Sequence, residues 1–249
     1  MVASPPNPIE SDLHLIRRVA RMNGLEKTMR KFIKKQLRHF FTKPSAQLAR
    51  LWPTYLNLSI MRWMYEIQLG VEQLHLIMKA IKSHSRCRFL VFGLGNDSLF
   101  WSTINHDGVT IFLEDDQQWF EKVTKTSPTL RAFLVQYGTQ RRDWKKLLES
   151  QSSLEMALPK EVEKAGWDVV LVDAPAGWGD QTPGRMKSIY AASRLVKKTG
   201  DIFVHDCERE VEDAYCNYFL KDENLKVAVA HPEGWLRHYC VFNRSVSCA

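Results

Sequence analysis

Two apolar runs in this 249-residue chain end in acids: Val170-Leu171-Val172-Asp173 and Ile202-Phe203-Val204-His205-Asp206. An aspartate beside a histidine can take a proton from a hydroxyl or an amine. Two aspartates with a histidine also suit a hard, oxygen-preferring divalent cation. Asp173, His205 and Asp206 are therefore the candidate catalytic residues, with Asp173 and Asp206 as candidate metal ligands. A third acid, Glu114, closes the run Val109-Thr110-Ile111-Phe112-Leu113 and stands 19 residues after Gly95. Upstream lies the turn Phe92-Gly93-Leu94-Gly95-Asn96-Asp97-Ser98, at the end of another apolar run. Its glycines let the backbone pass close to a ligand, and an acid at the next strand end is placed to accept hydrogen bonds from ribose hydroxyls. Gly93, Gly95, Asn96, Asp97, Ser98, Glu114 and Asp115 are thus the candidate cofactor residues. Serine stands at position 98, where a dinucleotide fingerprint has its third glycine, so the turn does not call for a pyrophosphate.

These groups converge only if the chain folds so that the apolar runs become neighbouring strands. From Arg88 onward, strand-like runs fall at 88–93, 109–114, 132–137, 167–173, 200–205, 225–230 and 237–242. Helical patterns separate the first six, most clearly at 99–105, 116–126, 142–150, 183–197 and 210–220. Alternating strands and helices predict a doubly wound, mainly parallel α/β sheet with ligands beyond its carboxyl ends. The last two strands are joined only by Ala230-His231-Pro232-Glu233-Gly234-Trp235, too short for a helical crossover, so the seventh strand should be antiparallel. A Rossmann-like, seven-stranded mixed sheet with its last strand antiparallel is the class I methyltransferase arrangement. That and the missing third glycine favour S-adenosylmethionine, with Asp97 near its ammonium group.

Residues 1–84 read as an N-terminal helical segment and 85–249 as the cofactor-binding domain. Apolar residues at helical spacing over Leu25–Phe41 face away from six lysines and arginines, a pattern suited to a core-facing helix or to peripheral contact with an anionic membrane. A longer helix is expected over Leu56–Lys82. The net charge of +7 suits an anionic partner. Five cysteines without a CxxC pair point to reduced thiols. With no secretory signal or membrane-spanning run, the expectation is a soluble, cytoplasmic protein. The loop Pro175–Met186, carrying Trp178 and Arg185, should overhang the reaction end. Arg185, Arg209, Arg237 and His238 are candidates for an acidic acceptor, since guanidinium groups grip carboxylates in bidentate fashion.

The stretches FLVFGLGNDSLFWSTINHDGVTIFLEDDQQW, WDVVLVDAPAGWGDQTPGRMKSIYAASRL, DIFVHDCEREVED and LRHYCVF resemble the plant glucuronoxylan 4-O-methyltransferase family, which includes the irregular-xylem proteins. The resemblance runs from about Cys87 to Phe242. It implies methyl transfer from S-adenosylmethionine to a hydroxyl of an acidic sugar or polysaccharide, with a divalent metal ion. By position, Gly93, Gly95, Asp97 and Glu114 would hold the donor. Asp173, Asp206 and His205 would face the acceptor or metal, and Arg185, Tyr190, Arg209, Glu212, Asp213, Arg237 and His238 would shape the acceptor site. Plant members carry a membrane anchor that implies a Golgi address, whereas this sequence has a helical segment there. It also departs at Cys207-Glu208 and Trp178-Gly179-Asp180. The alternatives are a cytosolic O- or N-methyltransferase of small metabolites and a non-catalytic wall-assembly scaffold. With no NPPY-like loop and no known RNA-binding module, nucleic acid is not an expected partner.

Overall fold

The computed structural model describes residues 55–240; the basic helix read over Leu25–Phe41 lies outside the described residues. Strands β1 (Arg88–Phe92), β2 (Val109–Glu114), β3 (Ala132–Leu134), β4 (Trp167–Val172), β5 (Val196–Val204), β6 (Leu225–Val229) and β7 (Leu236–Cys240) form one sheet. Its order is β3-β2-β1-β4-β5-β7-β6. Neighbours from β3 through β5 are parallel, and β7 runs antiparallel to both β5 and β6. The fold is the class I methyltransferase fold expected from the sequence. Strand order reverses between β1 and β4, which opens a crevice beyond their carboxyl ends.

All six residues of β4 are buried, although successive side chains point to opposite faces. Both faces of the sheet are therefore covered there, as the unbroken run Val169-Val170-Leu171-Val172 requires. The covering helices among the described residues are α1 (Tyr55–Tyr65), α2 (Val71–Lys82), α3 (Ser98–Ile104), α4 (Gln117–Thr126), α5 (Trp144–Glu149), α6 (Lys160–Glu163), α7 (Met186–Leu195) and α8 (Glu210–Tyr215). In α2, Leu74, Ile77, Met78 and Ile81 recur at helical spacing and are all buried. At roughly 1.5–3 kcal/mol per fully buried aliphatic side chain, that stripe dominates the energetics of the helix.

The structure alters several boundaries. The helix expected over Leu56–Lys82 is two helices, broken at Glu66, whose φ is +56°. The apolar pattern runs through the break because Ile67 and Leu69 are buried in the connection, while Arg62 Nε donates to Leu69 O at 2.8 Å. Strand β3 stops at Leu134: Val135 donates a last bond to Glu114 O, and Val135 and Tyr137 are buried beyond the ladder. Helix α7 ends at Leu195 and β5 starts at the next residue, four positions earlier than expected. After α8 the chain continues as a π-helical turn over Cys216–Leu220. The four described cysteines are free thiols. No helix among the described residues is long and apolar enough to cross a membrane.

One polar side chain ties α2 to the antiparallel hairpin. Fully buried Gln73 accepts from Gly70 N at 2.8 Å, and its amide donates to Val229 O at 3.2 Å and Gly234 O at 2.8 Å. A Gln73→Leu variant keeps the volume and strands all three backbone groups. It should lose about 1–3 kcal/mol of stability, read as a melting temperature lower by several degrees. An unchanged melting temperature would show that these bonds hold nothing.

Candidate active site

The sheet register places the chemistry. Phe92 pairs with Leu113 and with Val172, and Val172 pairs with Val204. Gly93, Glu114, Asp173 and His205 are each the next residue, so four sequence-separated groups come to one rim. Backbone bonds carry the ladder one step further, from Gly93 N to Leu113 O, Asp173 N to Phe92 O and His205 N to Val172 O, at 2.7–3.0 Å.

At the β1–β2 end, Gly93 has φ +122°, which L side chains resist, and a Cβ there would lie 3.2 Å from Ala174 Cβ. Glu114 holds the turn open from behind. One of its oxygens accepts from Leu94 N at 3.0 Å, and the other from Asp115 N and Asp116 N at 2.9 Å each. Asp116 is the residue that caps α4, through Trp119 N at 2.8 Å, so Glu114 is not spent on capping. The Trp119 indole donates to Leu94 O and braces the turn from the other side. Asn96 is exposed, Ser98 is buried at the start of α3, and Asp97 is bound by Trp101 Nε1 at 2.7 Å. Burial, followed by the charge of Asp173, pushes the Asp97 carboxyl up to about 6, and burial beside Glu114 does the same for Asp115. A cation arriving beside Asp97 would relieve that penalty. A glycine cradle, an acid at the next strand end and a carboxyl short of positive charge fit the backbone, ribose and ammonium of S-adenosylmethionine.

At the β4–β5 end, Asp173, His205 and Asp206 each offer a ligand atom within 4.8 Å of the others. His205 Nδ1 lies 2.9 Å from Asp173 Oδ1 and 3.8 Å from Asp206 Oδ1, while the buried Nε2 has no partner. The tautomer that suits both facts carries the proton on Nδ1 and donates it to Asp173. Asp206 sits at φ +63°, a left-handed conformation that aspartate tolerates better than most residues. Its Oδ2 receives Arg185 Nη2 at 2.6 Å and Arg209 Nη1 at 3.0 Å.

Arg185, expected to face an acidic acceptor, is turned inward and buried. It donates to Pro175 O, His205 O and Asp173 O at 2.7–3.3 Å, besides meeting both aspartates. The guanidinium is consumed in joining the two strand ends and offers nothing outward. Arg209 keeps part of its side chain in solvent. Trp178 is exposed on the loop after β4. Arg237 stands at the level of Val204 but reaches Asp213 of α8 at 2.6 Å and Asn217 of the following π-helical turn at 3.3 Å. His238 and Tyr190 are not brought to the rim. His238 stacks on Phe203 and meets Asp201 at 2.7 Å, further down β5, and Tyr190 bonds Glu155 at 2.8 Å and packs against Phe219.

One residue escaped the sequence reading. Gly234 (φ +130°) packs so closely that a Cβ there would lie 2.4 Å from Asp206 Oδ1 and 2.7 Å from His205 Nε2. A glycine inside a hairpin connection was the available signal, but only the fold shows what lies across from it.

The sequence model of the IRX15/IRX15L/GXM family matches residues 72–157 and 149–239. The chain belongs to this family. Among its members, Glucuronoxylan 4-O-methyltransferase 2 of Arabidopsis thaliana is 38% identical over 193 residues, covering 69% of this chain and 65% of that protein. Glucuronoxylan 4-O-methyltransferase 1 is 35% identical, covering 70% and 68%, and Arabinogalactan O-methyltransferase 2 is 36% identical, covering 61% of each, both from the same plant. The chain thus spans about two thirds of the length of these relatives. In structure it is similar to a putative caffeoyl-CoA O-methyltransferase from Staphylococcus aureus, with 12% identity, a TM-score of 0.49, and coverage of 86% of this chain and 99% of that one. Every rim residue described above falls within the IRX15/IRX15L/GXM match.

The pairing at the rim sets its titration. Burial pulls the His205 imidazole down, but the bond to Asp173 and the charges of Asp173 and Asp206 outweigh it, so its pKa is raised. Burial pushes Asp173 up, but His205 and then Arg185 outweigh it, so its pKa is lowered. His205 is therefore protonated up to a higher pH than a free imidazole. In an Asp173→Asn variant the lowering cause remains and the main raising cause is gone, so His205 should titrate at lower pH by imidazole NMR. An unmoved titration would show that Asp173 does not hold the ring.

Proposed function

We propose that this chain transfers a methyl group from S-adenosylmethionine to a hydroxyl of a uronic-acid-bearing polysaccharide. The observation that carries the reading is the joining of Asp173, His205 and Asp206 at the crevice where the glycine turn and Glu114 also end. The family supports the acceptor: the names of the relatives share O-methylation of a polysaccharide. When bound, the donor supplies an electrophilic methyl carbon on a sulfonium. Gly93, Gly95 and Asn96 admit it to the turn, with Ser98 starting the helix behind. Glu114 accepts its ribose hydroxyls on remaining lone pairs, with Asp115 next to it in the chain, and Asp97 takes its ammonium.

Asp173 is the acceptor-facing member of the trio, with 26% of its side chain in solvent against 2% for His205 and 7% for Asp206. An alcohol becomes strongly acidic only as its oxygen is alkylated, so the base need only be ionised and in place. A carboxylate held low by His205 and Arg185 meets that need and takes the proton as the new C–O bond forms. His205 and Arg185 act through Asp173 as positioning residues. Arg209, with 28% of its side chain in solvent against 6% for Arg185, is the arginine beside the trio left to read the carboxylate of a uronic acid.

A second reading has support in the spacing of the same trio. Asp173, His205 and Asp206 are close enough to hold a divalent cation, which would acidify the acceptor hydroxyl directly. Chelation separates the two. With Asp173 alone as base, turnover persists in excess EDTA; with a cation site, it is lost and returns on adding Mn²⁺.

The decisive screen offers labelled donor with glucuronoxylan fragments, free uronic acids and small phenols and amines. Transfer is expected to the uronic-acid acceptors, and transfer confined to phenols or amines would overturn the reading. Asp173→Ala should cut turnover by about 10²–10⁴-fold and leave donor binding intact by calorimetry. Glu114→Ala should weaken donor binding by about tenfold or more, and unchanged affinity would remove Glu114 from the ribose.

A further inference from the structure

Among the described residues, five large apolar side chains are exposed: Ile60, Leu134, Trp178, Tyr218 and Trp235. The backbone before each tryptophan adjoins the Asp173–His205–Asp206 rim, Gly177 before Trp178 and Gly234 before Trp235. Trp178 follows Gly177, where a Cβ would lie 3.3 Å from Arg209 Nη1. Arg209 in turn holds Asp206 Oδ2, and on the other side of that carboxylate Oδ1 faces Gly234, the residue before Trp235. The contacts therefore run Gly177, Arg209, Asp206, Gly234, with a tryptophan following the glycine at each end.

The backbone beneath each indole is fixed. Trp235 N donates to Glu208 Oε2 at 2.7 Å, its carbonyl accepts from Cys207 N at 3.0 Å, and Gly234 O receives Gln73. The loop of Trp178 is pinned by Gly184 N to Ala176 O at 2.9 Å and by Arg141 N to Thr182 O at 2.8 Å. Yet Trp178 is 79% and Trp235 44% exposed. Holding a wide apolar ring in water on an anchored backbone gains nothing for folding, since the ring's burial energy is left unused. Such a ring suits a partner with flat apolar faces and a polar periphery. A pyranose has that shape: its axial C–H groups form an apolar face that an indole covers, while its hydroxyls stay at the edge in water.

We propose that Trp235 and Trp178 are stacking platforms for the sugar residues on either side of the one being methylated. The inference deepens the polysaccharide reading and rests on it. It makes the chain an enzyme that selects a glycan chain over a free sugar, with Arg209 between the indoles facing the acidic residue. Glu208, by holding the Trp235 amide, positions that platform.

The test compares kcat/KM on a glucuronate-substituted xylo-oligosaccharide with kcat/KM on free glucuronic acid. In Trp235→Ala the preference for the oligosaccharide should fall about tenfold, mostly through KM, and Trp235→Phe should restore much of it. Tyr218→Ala, an exposed aromatic away from the rim, should keep the wild-type preference. A Trp235→Ala preference equal to wild type would overturn the platform and leave the methyl-transfer reading intact. If the wild-type protein methylates no uronic-acid acceptor, the methyl-transfer reading falls instead. The platform is then judged by tryptophan fluorescence titrated with the same oligosaccharide. A change lost in Trp235→Ala upholds it, and no change in the wild type overturns it.

Discussion

The buried guanidinium of Arg185 is the constraint on which the rim depends. It meets Asp173 and Asp206 and three backbone carbonyls drawn from the ends of two strands and the loop between them. Two carboxylates brought this close inside a protein repel each other. The guanidinium between them offsets that repulsion, and Arg209 adds a second positive charge at Asp206. Desolvation works against Asp173, His205 and Arg185, and it is offset because their charges face one another at hydrogen-bond distance.

The sheet supplies the other half of the arrangement. A parallel register that pairs Phe92, Leu113, Val172 and Val204 forces the residue after each onto one edge. That is why side chains separated by 59 and 32 positions in the chain meet at one edge (from Glu114 to Asp173 and from Asp173 to His205). The antiparallel hairpin then closes over the edge with Gly234, a position where any side chain would displace His205 or Asp206.

Much of this was legible beforehand because the signals were local. Apolar runs ending in acids announced β2, β4 and β5, and the short connection at 230–235 announced the antiparallel strand. The residues that misled are those whose roles are set by distant partners. Arg185 looks like an outward cation in a Gly/Pro-rich loop until the ends of β4 and β5 are seen to enclose it. His238 looks like a site histidine until Asp201 is found beside it, and α1 and α2 looked like one helix because the break itself is lined with buried apolar residues. Gly234 carried no sign of its neighbours in the sequence.

Asp97 has a consequence of its own. With its carboxyl pushed up to about 6, a fraction of the molecules carry a proton there in weakly acidic solution. Any ligand that sets an ammonium beside Asp97 must expel that proton, so association and ionisation are thermodynamically linked. Affinity for such a ligand weakens as the medium acidifies through that range, and each binding event there releases a fraction of a proton to the buffer. A calorimeter would see this as an apparent enthalpy that changes with the buffer's own heat of ionisation. The glycine turn is thus coupled to the acidity of whatever compartment the protein occupies.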